Sequence, residues 1–427
     1  MRAESFALKK FVGWGGAALL AVTVIMPQAP STAFNVLKSG MQQRPGLLKK
    51  TSGGGGTTTT TGGTTTTGTT SGTTTGTTTT TSSGQTVVAS TEMSLVPSNF
   101  DVNSELVDMP VPGKDTDEGA FRFICNPGQV AADDPIVFPG QPGKSHLHQF
   151  YGNTSANAYS TYQSLRSGGQ STCMSPLNRS AYWMPALLDG KGNVVRPDYI
   201  SIYYKRIPSS DPRVQAWKPA PDANKSMGIA AALPNGLRFI FGWDPTGTHP
   251  AERTGMAYFN CDGPTGVAAH YATIPEAMAN CPAGNHFGAV IIAPNCWDGK
   301  NLDSPDHRSH VSYATYDNGY GYLQCDAAHP YVIPTFTLGA WYTVAAGDDT
   351  SKWHFSSDEM VTGQPAGYTF HADWFGAWDN TVMSMWMDNC IDKLLNCSAG
   401  NLGNGKGMKM FSGFSWTANP RLVPIPQ

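Results

Sequence analysis

The chain has 427 residues, 40% of them hydrophobic, and 28 Lys plus Arg stand against 31 Asp plus Glu, a formal net charge of -3. That near-balance excludes the broad basic footprint of a nucleic-acid-binding protein. The length permits a substantial core in one large domain or two closely joined ones.

The N-terminus reads MRAESFALKKFVGWGGAALLAVTVIMPQAPSTAF. Arg2, Lys9 and Lys10 precede an apolar run from Phe11 to Met26, and small residues follow before Ala33. This is the pattern of a signal peptide over residues 1–33. The run is shorter than the ~20 residues that span a bilayer, and no positive cluster closely follows it. An exported protein is therefore expected, secreted or cell-surface associated, with no stable membrane span after cleavage. Residues 34–50 are too short for a domain. Residues 51–84 contain only Thr, Gly and Ser; with no apolar side chain to bury, they read as a flexible linker. Residues 85–427 form the body.

In the body, STEMSLVP, GAFRFICN, DYISIYYKRI, GLRFIFGWD, HFGAVIIAP, HRSHVSYATY and YVIPTFTLGAWYTV follow in order. Their β-branched and aromatic content, punctuated by Gly, Pro, Asn and Asp, predicts strands. Short helices are predicted within IPEAMANC and TVMSMWMDNCIDKLLNC. The expected fold is β-rich, an antiparallel sandwich-like body with long loops and a few short helices. A closed barrel and a propeller are the alternatives, although no blade repeat stands out.

All eight cysteines lie in the body, and an even number in an exported chain favours disulfides. Cys390/Cys397, in CIDKLLNC, closes most easily. Cys281/Cys296 and Cys125/Cys173 are the other pairings suggested. No pair has CxxC spacing, which argues against structural zinc held by thiolates.

Several separated stretches carry polar chemistry: DPIVFPG, then SHLHQFYGN; SAYWMPAL; GLRFIFGWD; CWDGKNLDSPDHRSHVSY; and GYTFHADWFGAWD. Together they resemble the DUF1996 family of secreted fungal and bacterial proteins over most of residues 119 to 400. The resemblance implies an extracellular protein and brings no defined reaction. It places His146, His148, Asp303, Asp306, His307, His310, His371 and Asp373 in signature stretches. Where fungal relatives often carry a further histidine after the first pair, this chain has Tyr151.

On an extended strand His146 and His148 share one face, as do His371 and Asp373, while Trp374 turns to the other. Paired imidazoles on one face can bind a transition metal, carry protons or donate to a glycan. Asp303 and Asp306 flank a Pro305 turn before His307 and His310. They can orient an imidazole or cap the turn. Trp183, Trp374 and Trp378 are candidates for stacking on sugar rings. Lys144, Arg238, Lys300 and Arg308 are candidates for neutralising acidic sugars.

The expected function is a carbohydrate-active protein, a polysaccharide hydrolase or lyase with a cleft lined by histidine and aspartate. Asp306 and Asp373 are the first acid/base pair to inspect for hydrolysis. For elimination, His307 or His310 would remove the proton. The alternatives are a non-catalytic binding or surface protein that recognises polysaccharide or a cell-surface glycan, and a divalent-metal enzyme. The metal ligands would be His146, His148 and one of His307, His310 or His371. The sequence leaves open whether the protein is an enzyme.

Overall fold

The computed structural model describes residues 78–80, 86–88, 96–114, 118–215, 227–246, 255–317 and 322–426, all within one unit spanning Lys50–Gln427. The signal peptide expected over 1–33 and the segment 34–50 lie outside the described residues. Of the Thr/Gly/Ser tract, 78–80 is described, as a short strand pairing antiparallel with 86–88.

Two sheets build the body. The first is six-stranded and contains β1 (Gly119–Cys125), β5 (Tyr199–Arg206), β7 (Ala257–Asp262), β8 (His286–Ile292), β9 (Thr335–Thr343) and β11 (Asn396–Cys397). Its order is β7-β8-β9-β5-β1-β11, antiparallel except for β11 on β1. The second is five-stranded and antiparallel throughout. It contains β2 (Val130–Ala131), β3 (His148–Gly152), β4 (Ala181–Pro185), β6 (Arg238–Gly242) and β10 (His371–Phe375), in the order β6-β10-β4-β3-β2. Smaller two- and four-stranded sheets lie in the loops between these strands.

The alternation in β5 explains how the layers form. Ile200, Ile202 and Tyr204 are buried while Tyr199, Ser201 and Tyr203 are partly exposed, as a half-buried strand requires. From the second sheet, Phe239, Phe241 and Trp374 meet Phe336, at ring-centroid separations of 6.0, 5.7 and 5.1 Å. The layers are also joined by a satisfied polar contact. The hydroxyls of Tyr182 and Tyr204 lie 2.8 Å apart and accept from Asn178 and from the Trp378 indole, respectively.

The second sheet is buried on both faces. Its outer face carries Phe150, Trp183, Ile240 and Phe375, covered by Ile136 and by Tyr162 and Leu165 of α1 (Tyr162–Ser167). Such strands lose the alternating pattern, and AYWMP and HADWF are each buried throughout.

The expected helices form as α2 (Ile274–Met278) and α3 (Asn380–Trp386), the latter capped by Asp379 and followed by a π-type turn, Met387–Ile391. HRSHVSYATY departs from expectation: only Val311–Ser312 and Thr315–Asp317 are extended, because Asp306 and its neighbours form a turn. Of the STEMSLVP segment only Val96 and Pro97 are described, without strand pairing.

All eight cysteines are bridged, as Cys125–Cys173, Cys261–Cys281, Cys296–Cys325 and Cys390–Cys397. The Cys281/Cys296 pairing is thereby corrected. α2 returns Cys281 to Cys261 at the edge of the sheet, while β8 carries the chain away before Cys296.

Candidate metal centre

The outer face of the second sheet gathers ionisable groups from three distant segments. β3 starts at His148 and β10 at His371. His146 lies just before β3, its ring centroid 4.1 Å from that of His148 and 5.0 Å from that of His371. Asp373 shares the face of His371, two residues along the strand. Gly242 is in register with His371 at φ +98°, where an added Cβ would stand 2.8 Å from the His371 Cα. That close approach and left-handed backbone favour glycine.

Asp134 completes the group, and sequence reasoning did not select it. Strand pairing of Ala131 with His148 brings the following Asp133-Asp134 loop over the imidazoles. Asp133 ties that loop down: its carboxylate accepts from the N–H of Gly143 and of Ala158, and its carbonyl accepts from His148 Nδ1 at 2.9 Å. Asp134 Oδ1 accepts from the N–H of Ile136 and Val137 at 2.8 and 2.9 Å. The signal for Asp134 was present, since it opens the DPIVFPG stretch, but an Asp before Pro reads first as a turn residue.

His146, His148 and His371 each place a ligand atom within 4.8 Å of the other two, and so do Asp134, His148 and Asp373. All but His146 are buried, and His146 forms the rim. Both sets suit coordination of a metal ion, with His148 common to them.

Hydrogen bonding fixes the imidazole tautomers. His371 Nδ1 faces the Thr369 carbonyl at 2.8 Å and His148 Nδ1 faces the Asp133 carbonyl. Carbonyls only accept, so both Nδ1 atoms carry hydrogen and both neutral rings present an Nε2 lone pair. His146 Nδ1 lies 3.1 Å from Ser356 Oγ, and Ser356 makes its shorter contact by donating to the Leu147 carbonyl. Its single hydrogen being committed there, Ser356 accepts from His146 Nδ1. The Nε2 atoms of His146 and His371 are 3.2 Å apart. His148 Nε2 and both Asp373 oxygens are buried without a hydrogen-bond partner among the described residues.

Burial dominates the electrostatics. It lowers His146 to about 4 and drives His148 and His371 well below the ordinary imidazole value, reinforced by their mutual repulsion. Asp373 is pushed well above the usual carboxylate range by burial and then by Asp134, against the opposing charge of Arg308. Asp134 is raised to about 6 by burial, offset in part by the Val137 and Ile136 N–H groups. The cluster thus consists of imidazoles that burial keeps neutral and two carboxyl groups that it disfavours as anions.

The other candidates fall around this cluster or away from it. Trp183 is in register with Asp373 and stacks on Phe150 at 5.4 Å, so it walls the cluster. Arg308 donates to the Trp243 carbonyl at 2.9 Å. Asp303 bonds both Arg238 and His307, at 2.9 Å each. His310 has both ring nitrogens occupied, by Ser304 Oγ at 2.7 Å and the Arg238 carbonyl at 3.0 Å, and it packs by Phe239 on the opposite, inner face. Asp306 caps its turn through Ser304, Arg308 and Ser309, bonds that hold it ionised despite partial burial. Trp374 and Trp378 lie fully within the main core, with no face for a sugar ring. Lys144 and Lys300 are exposed in turns; Lys144 bonds Gln141 at 2.7 Å.

The family model described as a domain of unknown function (DUF1996) matches residues 134–378. The match opens at Asp134 and contains all five residues of the cluster. Searches of curated proteins and of solved structures find no match to the chain. Among the described residues no helix is long and apolar enough to cross a membrane.

Proposed function

This chain belongs to the DUF1996 family, and from that premise and the geometry of the cluster we propose that it is an exported, metal-dependent hydrolytic protein. His146, His148 and His371 would hold one divalent transition metal of the zinc class. Asp373 and Asp134 would balance its charge.

The Nε2–Nε2 contact of His146 and His371 carries this reading. Two neutral imidazole lone pairs at 3.2 Å repel unless a cation lies between them. Tetrahedral coordination at about 2.0–2.1 Å separates adjacent nitrogens by roughly 3.3 Å. A shared hydrogen is the other way to relieve the contact. It would require Ser356 to abandon its shorter bond to Leu147. Protonating the site is opposed by burial, which lowers all three rings.

Three nitrogen ligands leave a position for water, and such an ion lowers the pKa of bound water to about 7. Asp373, unpartnered beside the imidazoles, would stand ionised next to that position. The four bridges with no free cysteine support an oxidising, extracellular setting.

Polysaccharide is the substrate class to test. Zinc-loaded and chelator-stripped protein would be incubated with neutral and uronic-acid polysaccharides and the product masses measured. Products heavier by one water, formed only by the loaded protein, are expected. Unsaturated ends, or no product from any polymer, would contradict the hydrolytic reading.

A further inference from the structure

Among the signature histidines outside the metal cluster, one is held differently from its neighbour. His310 has partners on both ring nitrogens. His307 uses only Nδ1, on Asp303 Oδ1, and no bond to its Nε2 is formed among the described residues. Its side chain retains 24% exposure.

The backbone shows the same singling-out. His307 has φ +58°, a left-handed conformation that is strained for a residue with a Cβ. The cost is met by a turn bond from His307 N to the Ser304 carbonyl at 2.8 Å, and by the bond that the His307 carbonyl accepts from Ile240 N at 3.1 Å. That second bond extends the sheet outward by one row. Ile240 is itself in register with Asp373, so His307, Ile240 and Asp373 follow one another across the sheet. Two strand spacings put the His307 and Asp373 backbones roughly 10 Å apart.

The face is settled by Arg238. It is in register with Phe375 and lies 5.3 Å over that ring. Phe375 shares its face with Asp373 and His371 by strand alternation. Asp303 bonds Arg238 Nε through Oδ2 and His307 Nδ1 through Oδ1. The Arg238–Asp303–His307 chain therefore stands on the side of the sheet that carries the cluster.

We propose that His307 is the solvent-side proton carrier of the buried cluster, with Asp303 as its positioning residue. This rests on the metal reading above. With a metal bound, His307 Nε2 would accept the proton that a water gives up as its O–H bond breaks. As that water's oxygen bonds to the scissile carbon, the imidazolium would return the proton to the leaving oxygen, whose bond to that carbon breaks. Asp303 fixes the tautomer that leaves Nε2 free to accept, and Arg238 keeps Asp303 ionised and oriented.

The test uses the full chain loaded with cobalt(II), whose visible spectrum reports ionisation of water on the metal. Asn tolerates the left-handed backbone, so His307→Asn keeps the turn; Asp303→Asn removes only the anchor. Wild type should show two coupled inflections with pH. His307→Asn should show one, displaced by about one pH unit. Asp303→Asn should keep two at altered positions. Identical titrations in wild type and His307→Asn would overturn the proposal while leaving the metal reading intact. Absence of cobalt uptake by the wild type would overturn both.

Discussion

Asp373 and Trp183 stand in register on neighbouring strands of the second sheet, and both oxygens of that carboxyl group are buried without a hydrogen-bond partner among the described residues. A carboxyl group in this position destabilises the fold when ionised, yet the outer face has grown around it. The relationship makes sense if the group is completed by an ion.

Metal-free protein should reveal the acid through its pH dependence. Burial raises the folded-state pKa of Asp373, so its contribution to stability is complete below the unfolded value of ~3.9 and is lost as pH rises through the folded one. The imidazoles act in the opposite sense. Their folded pKa values are lowered, so their contribution is present above ~6.5 and lost as pH falls through the folded values. Asp373→Asn should shrink the first slope to the part that Asp134 contributes and leave the second in place. In chelator, it should become more stable than wild type by about 1–3 kcal/mol near pH 8. Urea unfolding across pH measures this, and parallel curves would contradict the burial of an unpartnered acid.

Ser356 should matter to metal binding through His146. Its hydroxyl accepts from His146 Nδ1 and anchors to Leu147. Loss of such a partner typically weakens metal affinity about 10–100-fold. Ser356→Ala should show that loss in competition with a chromophoric chelator, while metal-free stability falls only by the about 0.5–1.5 kcal/mol of its bond to Leu147. Unchanged affinity would mean that His146 is not oriented through this hydroxyl.

Trp374 and Trp378 test the correction made to the sugar-stacking expectation. Trp374 packs 5.1 Å from Phe336, and Trp378 meets Phe123 edge-on at 5.1 Å. Replacing either with Ala should destabilise by about 3–5 kcal/mol in urea unfolding. A loss below ~1 kcal/mol would place these indoles at a surface instead.

Strand alternation made β5 legible, because it buries one side and leaves the other partly exposed, whereas β1 is buried at every position but Arg122. It said less of the second sheet, whose strands are covered twice. The shared faces of His146 with His148 and of His371 with Asp373 could be read from two-residue spacing. Their meeting could not, because it depends on β10 lying between β6 and β4. His310, Asp306 and the two core tryptophans looked like site residues because composition does not tell a satisfied side chain from an open one. Asp134 was hidden by its neighbour: the DD pair divides its work, one carboxylate fastening loops and the other facing the imidazoles. The Cys281/Cys296 suggestion failed for a related reason, since proximity in sequence ignored the return of α2 to β7.

The most direct test of the account is zinc stoichiometry in the stripped and reconstituted full-length chain, by elemental analysis with calorimetry. About one tightly held zinc per chain is expected, taken up with release of a proton because Asp373 must ionise. His146→Gln and His371→Gln should each lose that uptake. A wild-type chain that binds no zinc, or one whose uptake survives both substitutions, would contradict a metal centre at this site.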